Sequence, residues 1–201
     1  MKKITLTMAV LAIAGMANAI ILVPNGDFET GDNTSWVEVQ GGGLGAGYQY
    51  PTSGGVGDSG YGQIDSTAGS WAIWVANAPA EIIPLSYFGV SAGDTITVTM
   101  DMIELNNPNG LETAGIKMEN WTATGVINDT GDMKVKVADV WTTYTWDFTI
   151  DSAATHIKFV PVQHNELSIG YDNVGVVPEP ATLGLLGLAG AGLFIRRRLL
   201  S

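Results

Sequence analysis

The sequence predicts an all-β fold, a β-sandwich, for residues 20–176. Charged residues make up only 14% of the chain and glycine occurs 26 times, a balance that favours sheets and turns over helices. Short runs of alternating apolar and polar residues are broken by Gly, Asn, Asp and Pro, and no long stretch has a helical period. Eight or more such strands in about 155 residues are typical of two packed sheets.

Two runs show the alternation most clearly. In residues 95–102 every second residue is Ile, Val or Met, and the residues between are Thr or Asp. In residues 144–150 aromatic residues and an isoleucine alternate with Thr and Asp in the same way. The other predicted strands cover residues 71–76, 115–122, 134–137, 157–159 and 169–176. The glycine-rich residues 41–62 are predicted to form a long loop.

The predicted domain is strongly acidic. Residues 20–176 hold four lysines and nineteen of the twenty acidic residues, a net charge of −15 against −11 for the whole chain. This charge repels phosphate backbones, which excludes nucleic acid as a partner, but it would attract cations such as Ca²⁺. The alternative is that the carboxylates only keep the domain soluble. Cysteine is absent, so there are no disulfides, thiolate metal sites or cysteine nucleophiles.

The first nineteen residues have the three parts of a secretory signal peptide. Lys2 and Lys3 form the positive start, residues 4–16 are largely apolar, and Ala17 and Ala19 supply the small residues that signal peptidase needs. We therefore predict export and cleavage after Ala19. An N-terminal membrane anchor is the alternative, which the short apolar run disfavours.

The chain ends in a short motif, an apolar segment and a basic cluster. The motif is Pro178-Glu179-Pro180, residues 181–195 are uncharged, and the basic cluster consists of Arg196, Arg197 and Arg198. These properties predict a membrane helix whose positively charged end stays in the cytoplasm. Its apolar part is shorter than the ~20 residues that usually span a bilayer.

The order of these three parts resembles the PEP-CTERM sorting signal. The resemblance covers residues 177–201. It implies transient membrane insertion and processing by an exosortase, a membrane-embedded cysteine transpeptidase. It also implies a protein of the cell surface or extracellular matrix, from a bacterium that makes extracellular polysaccharide. An ordinary tail anchor is the alternative.

Three motifs within the domain resemble galactose-binding-like jelly rolls, which are common among carbohydrate-binding modules. They are VPNGDFE at 23–29 followed by Trp36, SAGDT at 91–95, and IGYDNV at 169–174. Related jelly rolls often hold a structural Ca²⁺ where the first and last strands meet. Carried onto this chain, the resemblance implies Asp27, Glu29 and Asp172 as ligands, together with backbone carbonyls. Such hard oxygens suit Ca²⁺. The alternative is that Asp172 only forms hydrogen bonds at a strand end.

Exposed aromatic residues beside polar groups would suit a sugar, because sugar CH faces stack on rings while hydroxyls bond to carboxylates and amides. Trp121, next to Glu119 and Asn120, is one candidate. Trp74 is another, because it lies three residues from Trp71 and the two therefore point to opposite faces of a strand. Packing in the core or at an interface is the alternative for each aromatic residue.

No catalytic motif is present in the sequence: there is no Gly-x-Ser-x-Gly elbow, no phosphate-binding loop and no His-Glu-x-x-His spacing. The sequence therefore predicts a non-enzymatic exported protein that binds extracellular polysaccharide and holds a structural Ca²⁺. One alternative is a structural surface protein that contacts itself or other proteins and binds no sugar. A weaker alternative is a glycan-active enzyme, which would need a cleft holding two carboxylates.

Overall fold

The computed structural model describes residues 20–41, 47–65, 71–76, 82–106, 113–164 and 168–178, without the side chains of 39–41, 71–76, 164 and 178. The predicted signal peptide, with Ala17 and Ala19, lies outside the described residues. So does the tail beyond Pro178, which includes Glu179, Pro180 and the three arginines 196–198.

The described residues form thirteen strands and two short 3₁₀ turns. The strands are β1 (Ile21–Leu22), β2 (Trp36–Gly41), β3 (Gly47–Gln49), β4 (Gly62–Asp65), β5 (Trp71–Ala76), β6 (Ile83–Pro84), β7 (Thr95–Glu104), β8 (Thr113–Trp121), β9 (Val126–Asp129), β10 (Met133–Lys136), β11 (Thr142–Thr149), β12 (His156–His164) and β13 (Ser168–Pro178). The turns are Val56–Asp58 and Leu85–Tyr87.

The strands form two antiparallel sheets. The first has the order β11-β7-β13-β4-β3, with β1 added on β13. The second has the order β10-β8-β12-β5-β2, with β6 on β12 and β9 on β8. These two sheets confirm the predicted all-β sandwich. In both sheets, neighbouring strands are far apart in sequence, so long-range pairing sets their register.

The core lies between the two sheets, as the alternation predicts. Ile96, Val98, Met100 and Met102 of β7 are fully buried, and Ile116 of β8 is buried on the facing sheet. Thr143 to Thr149 of β11 pair in unbroken register with β7. Each fully buried aliphatic side chain stabilises the fold by about 1.5–3 kcal/mol, so these inner faces hold the sheets together.

The segment predicted as a long glycine-rich loop contains a strand and a turn. β3 pairs with β4, and the 3₁₀ turn Val56–Asp58 follows β3. The prediction missed β3 because backbone hydrogen bonds, and not a run of apolar side chains, hold this short strand at the sheet edge. The polar strand β9 was missed for the same reason.

The opening motif and the last strand lie side by side. Val23 donates its backbone N–H to Val174 (3.0 Å), and Val174 donates to Gly26 (2.8 Å). A Cβ at Gly26 would lie 2.3 Å from the carbonyl oxygen of Val174, so this close approach requires glycine. Phe28 then stacks on Trp36 with ring centroids 5.2 Å apart.

Strand β13 extends two residues beyond the predicted domain end at residue 176. Val177 and Pro178 pair with Thr97 and Ile96 of β7. The first proline of the Pro-Glu-Pro motif is therefore the last residue of a sheet strand.

Candidate functional site

The outer face of the first sheet carries two aromatic residues and a group of polar side chains. We call this surface the Tyr61–Trp141 face. It comprises Tyr61, Trp141, Gln49, Gln63, Asp65 and Ser168. Tyr61 immediately precedes β4, and Gln63 and Asp65 follow it at alternate positions, while Ile64 points into the core.

The two rings pack edge to face. Their centroids are 5.5 Å apart and the planes cross at 77°, a favoured aromatic geometry. Both residues are half-buried. They lie over Gly170 of β13, where an added Cβ would meet Trp141 at 3.0 Å and Tyr61 at 3.2 Å. Glycine at this position therefore lets the rings rest close to the sheet backbone.

A strip of amide and carboxyl groups continues from the rings. The Tyr61 hydroxyl donates to Oε1 of Gln63 (3.3 Å), and Nε2 of Gln63 donates to both Asp65 oxygens (2.9 and 3.1 Å). Gln49 and Ser168 also donate to Asp65. Burial, and secondarily the Asp65 charge, raises the pKa of Tyr61, so its hydroxyl stays protonated and able to donate at neutral pH.

The loop that precedes β4 is held at three points. Trp141 donates its indole Nε1–H to the carbonyl of Gly54 (2.9 Å). Asp172 accepts from the backbone N–H of Val56 (2.9 Å) and from the hydroxyl of Ser59 (3.1 Å). Glu29 accepts from the N–H of Gly60 (2.8 Å). The same loop therefore contacts Trp141 of the aromatic pair, Glu29 of the motif at 23–29 and Asp172 of the motif at 169–174.

Asp172 is the carboxyl group of this region whose pKa is shifted most. Its side chain is fully buried, and burial raises its pKa to about 6 against the opposing effect of its hydrogen bonds. The charge of Asp101 adds to the increase in pKa. Asp172 sits where the register of β13 against β7 shifts, and the next residue, Asn173, has a φ of 50°. A left-handed residue beside a bulge is a local distortion that this network of contacts stabilises.

The three predicted calcium ligands do not form one cluster. Among the described residues no three Asp, Glu or His side chains come close enough to hold a metal ion together. Glu29 and Asp172 accept hydrogen bonds from two parts of one loop. Among the described residues, Asp27 accepts a long hydrogen bond from the N–H of Glu29 (3.5 Å). Oxygens of Asp172 accept hydrogen bonds from three donors. A Ca²⁺ site of these residues and backbone carbonyls therefore stays a prediction.

The predicted sugar-binding residues of β8 lie on opposite faces of the second sheet. Asn120 points inward, is only 3% exposed, and donates to Asn128. Glu119 and Trp121 are on the outer face, where Nε1–H of Trp121 donates to Glu119 (2.8 Å). Adjacent strand residues point to opposite faces, which separates Asn120 from the other two. Trp74 lies opposite Glu38 in the β2–β5 pairing, and its side chain is outside the described part of the structure.

Sequence reasoning did not find Tyr61 and Trp141. They are eighty residues apart in the chain and meet only through the pairing of distant strands. The alternation of Tyr61, Gln63 and Asp65 was the one local signal, because it places an aromatic ring, an amide and a carboxyl group on one face.

The described fold is similar to that of jelly-roll carbohydrate-binding modules. The CBM22-1 xylan-binding domain of Paenibacillus barcinonensis Xyn10C matches with a TM-score of 0.53 and 11% identity over 82% of this chain and 97% of that domain. The family 11 carbohydrate-binding module of Clostridium thermocellum Lic26A-Cel5E matches with a TM-score of 0.52 and 15% identity over 81% and 96%. At such identities the likeness shows the fold.

A larger protein shares the fold as well. The enzymatically active domain of tailspike protein 4 from bacteriophage CBA120 matches with a TM-score of 0.61 and 14% identity over 81% of this chain. This chain spans only 21% of that protein. No curated protein sequence matches the chain significantly.

The tail matches a known sorting signal. Residues 176–198 match the PEP-CTERM protein-sorting motif, so the chain carries the signal for export, cell-surface sorting and exosortase processing. The match begins inside β13. In the part of the chain that the structure describes, no helix has the length and apolar character needed to cross a membrane.

Proposed function

We propose that the domain is a non-catalytic module that binds an extracellular polysaccharide on the Tyr61–Trp141 face. The observation that carries this proposal is the edge-to-face aromatic pair beside the Gln63–Asp65 strip. The rings offer apolar surface to sugar CH groups, and the amides and carboxyl group offer partners for hydroxyls. The sorting motif brings such a module to the cell surface, where polysaccharide is present.

Xylan is the first ligand to test, because one of the similar structures is described as a xylan-binding domain. Its sugars are neutral, and the Tyr61–Trp141 face offers hydrogen-bonding groups and rings without a lysine or arginine among its six residues. A neutral chain of sugar hydroxyls matches that chemistry.

The non-catalytic part of the proposal rests on a carboxyl pair that the strand register brings together. Asp172 and Asp101 face each other across β13 and β7. Asp172 is fully buried, and Asp101 accepts from Thr143 and from Asn173. Both carboxylates are engaged in hydrogen bonds within the protein. The two catalytic carboxyl groups of a glycosidase must instead reach the scissile bond of the sugar chain. Incubation with xylan should therefore release no new reducing ends.

Affinity electrophoresis of the purified chain in gels containing soluble xylan tests the binding site. Trp141→Ala should weaken retention by at least about tenfold, because central aromatic residues carry much of the energy of such contacts. Trp141→Phe keeps a ring and should retain more binding. Tyr87→Ala removes an exposed tyrosine elsewhere and is the matched control. Equal retention of all variants, each checked for folding by circular dichroism, would refute this site.

A second candidate function is self-association, favoured by the edge strand β11. Among the described strands, β11 pairs only with β7, so its other side presents eight residues with a single charge. Long edges of this kind are templates for pairing with another chain. Light scattering at increasing concentration tests this, and Thr145→Lys should suppress any assembly because a lysine on an edge disfavours pairing.

A further inference from the structure

All four lysines of the domain lie on the outer face of the second sheet. Lys117 is on β8, Lys134 and Lys136 are on β10, and Lys158 is on β12. The inward residues of β8, such as Ile116 and Met118, are fully buried, so alternate residues beginning at Lys117 face outward. Lys134 pairs with Gly115, Lys136 with Thr113 and Lys158 with Glu119, all outward positions of β8.

The four side chains form a diagonal line across three strands. We define a row as the outward residues that pair across neighbouring strands. Lys136 lies in the row of Thr113, Lys134 in the row of Gly115, and Lys158 in the row of Glu119. Lys117 itself lies on β8 between the last two of these rows. Successive outward rows are about 6.6 Å apart and neighbouring strands about 4.8 Å apart, so the line is roughly 20 Å long. We call it the lysine track.

Carboxylates and an aromatic ring lie along the track. Lys117 forms an ion pair with Glu119 (2.6 Å), and Lys134 lies 3.9 Å from Asp132. The Lys158 ammonium is 5.3 Å from the centroid of the Trp121 ring, at the end of the track. Asp129 of β9 pairs with Glu119 in the same outward row, so three carboxylates accompany the four lysines. The local net charge is still positive, on a domain whose net charge is −15.

We propose that the lysine track binds an acidic polysaccharide whose sugar residues carry carboxylates, a polyuronate. The track is a narrow line, which fits an extended chain better than the broad surface of a second protein. Two of its lysines already lie beside carboxylates, so the remaining positive charge is widely spaced, which fits widely spaced sugar carboxylates better than the dense phosphates of nucleic acid. The Trp121 ring, over which the Lys158 ammonium lies, adds an apolar surface at the end of the track. This site is separate from the Tyr61–Trp141 face.

The acidic remainder of the domain does not prevent this binding at physiological salt. The Debye length is about 8 Å at 0.15 M ionic strength, so carboxylates on the opposite sheet are screened from a ligand on the track. Lysines within hydrogen-bonding reach of the ligand are screened much less. At 1 M salt, where the Debye length is about 3 Å, the attraction should be lost as well.

The test measures binding of the purified chain to polygalacturonate by affinity electrophoresis and calorimetry in 0.15 M and 1 M NaCl. The double variant Lys134→Gln/Lys136→Gln removes two exposed lysines of the edge strand and should bind about tenfold more weakly in 0.15 M NaCl. The charge-preserving variant Lys134→Arg/Lys136→Arg should bind like the wild-type chain. Binding of all three should fall sharply in 1 M NaCl.

Neutral xylan and Trp141→Ala separate this proposal from the proposed function. The glutamine variant should bind xylan normally, and Trp141→Ala should bind polygalacturonate normally. Equal binding of polygalacturonate by the glutamine and wild-type chains would overturn the lysine track as its site. Tighter binding of duplex DNA than of polygalacturonate, or a lysine-dependent self-association without polygalacturonate binding, would overturn the choice of ligand.

Discussion

Asp172 of β13 and Asp101 of β7 lie directly opposite each other in the strand register, yet only Asp172 is fully buried. Asn173 connects them, because its backbone N–H donates to Asp172 (2.7 Å) and its side chain donates to Asp101 (2.9 Å). Directly opposed like charges destabilise a sheet, and this arrangement offsets that repulsion with hydrogen bonds. The pair therefore makes the stability of the domain sensitive to pH.

The stability of the fold should decrease as the pH rises from about 4 to 7 through the ionisation of Asp172. The native pKa of about 6 lies above the ordinary value of 3.8, so the native state binds more protons than the unfolded state between these values. Ionisation of the buried group should cost about 2 kcal/mol of unfolding free energy by pH 7, with solvent screening taken into account.

Urea unfolding at pH 4, 5, 6 and 7 in EDTA, compared between the wild-type chain and Asp172→Asn, measures this effect. The variant cannot ionise, so the wild-type chain should lose stability relative to it as the pH rises. Asp147→Asn, which removes an exposed carboxylate of β11, is the matched control. Parallel pH profiles for the wild-type chain and Asp172→Asn would contradict the prediction.

Gly170→Ala should disturb the aromatic pair. The added Cβ would lie 2.8 Å from Cγ2 of Ile103 and 3.0 Å from Cη2 of Trp141, so at least one side chain must move. We expect a loss of about 1–3 kcal/mol in unfolding free energy and weaker xylan retention. Gly125→Ala is the control, because an added Cβ there meets no atom within 4 Å. Unchanged melting temperature and xylan retention in Gly170→Ala would show that the rings are not held as described.

Calcium binding remains a prediction from the acidic charge and the jelly-roll resemblance. An ion bound only by the native state should raise the melting temperature with increasing Ca²⁺, and EDTA should lower it. Asp27→Asn is the informative variant, because Asp27, unlike Asp172, does not hold the loop before β4. Calorimetric melting curves that are identical in Ca²⁺ and in EDTA would argue against a structural ion.

The fold should tolerate loss of the tail but not of the end of β13. A chain that ends after Pro178 keeps every β13–β7 pair and should melt at the temperature of the full chain. A chain that ends after Asn173 loses the buried Val174 and Val176, worth about 1.5–3 kcal/mol each, and should be unfolded or nearly so. The melting temperatures of the two truncated chains, measured by circular dichroism, test this prediction. A stable fold for the shorter chain would contradict it and would place the end of the domain before Val174.

Local patterns in the sequence were sufficient for the fold class and for the buried faces. Every second residue of 96–102 is buried because the side-chain period of a strand is a property of the strand itself. The motifs at 23–29 and 169–174 also meet, as the resemblance implies. Polar or short strands such as β3 and β9 were not predicted, since pairing with a neighbour and not composition creates them.

The sequence by itself determined an exported, acidic, all-β domain with a sorting tail, because those properties depend on composition and on contiguous motifs. Only the tertiary structure decided which side chains share a surface. In the folded domain the Asn120 side chain faces the core, and the Tyr61 ring packs against the Trp141 ring. Four lysines from three strands lie on one face. These relationships depend on the register between distant strands, and a shift of one residue in that register would move every side chain of a strand to the other face.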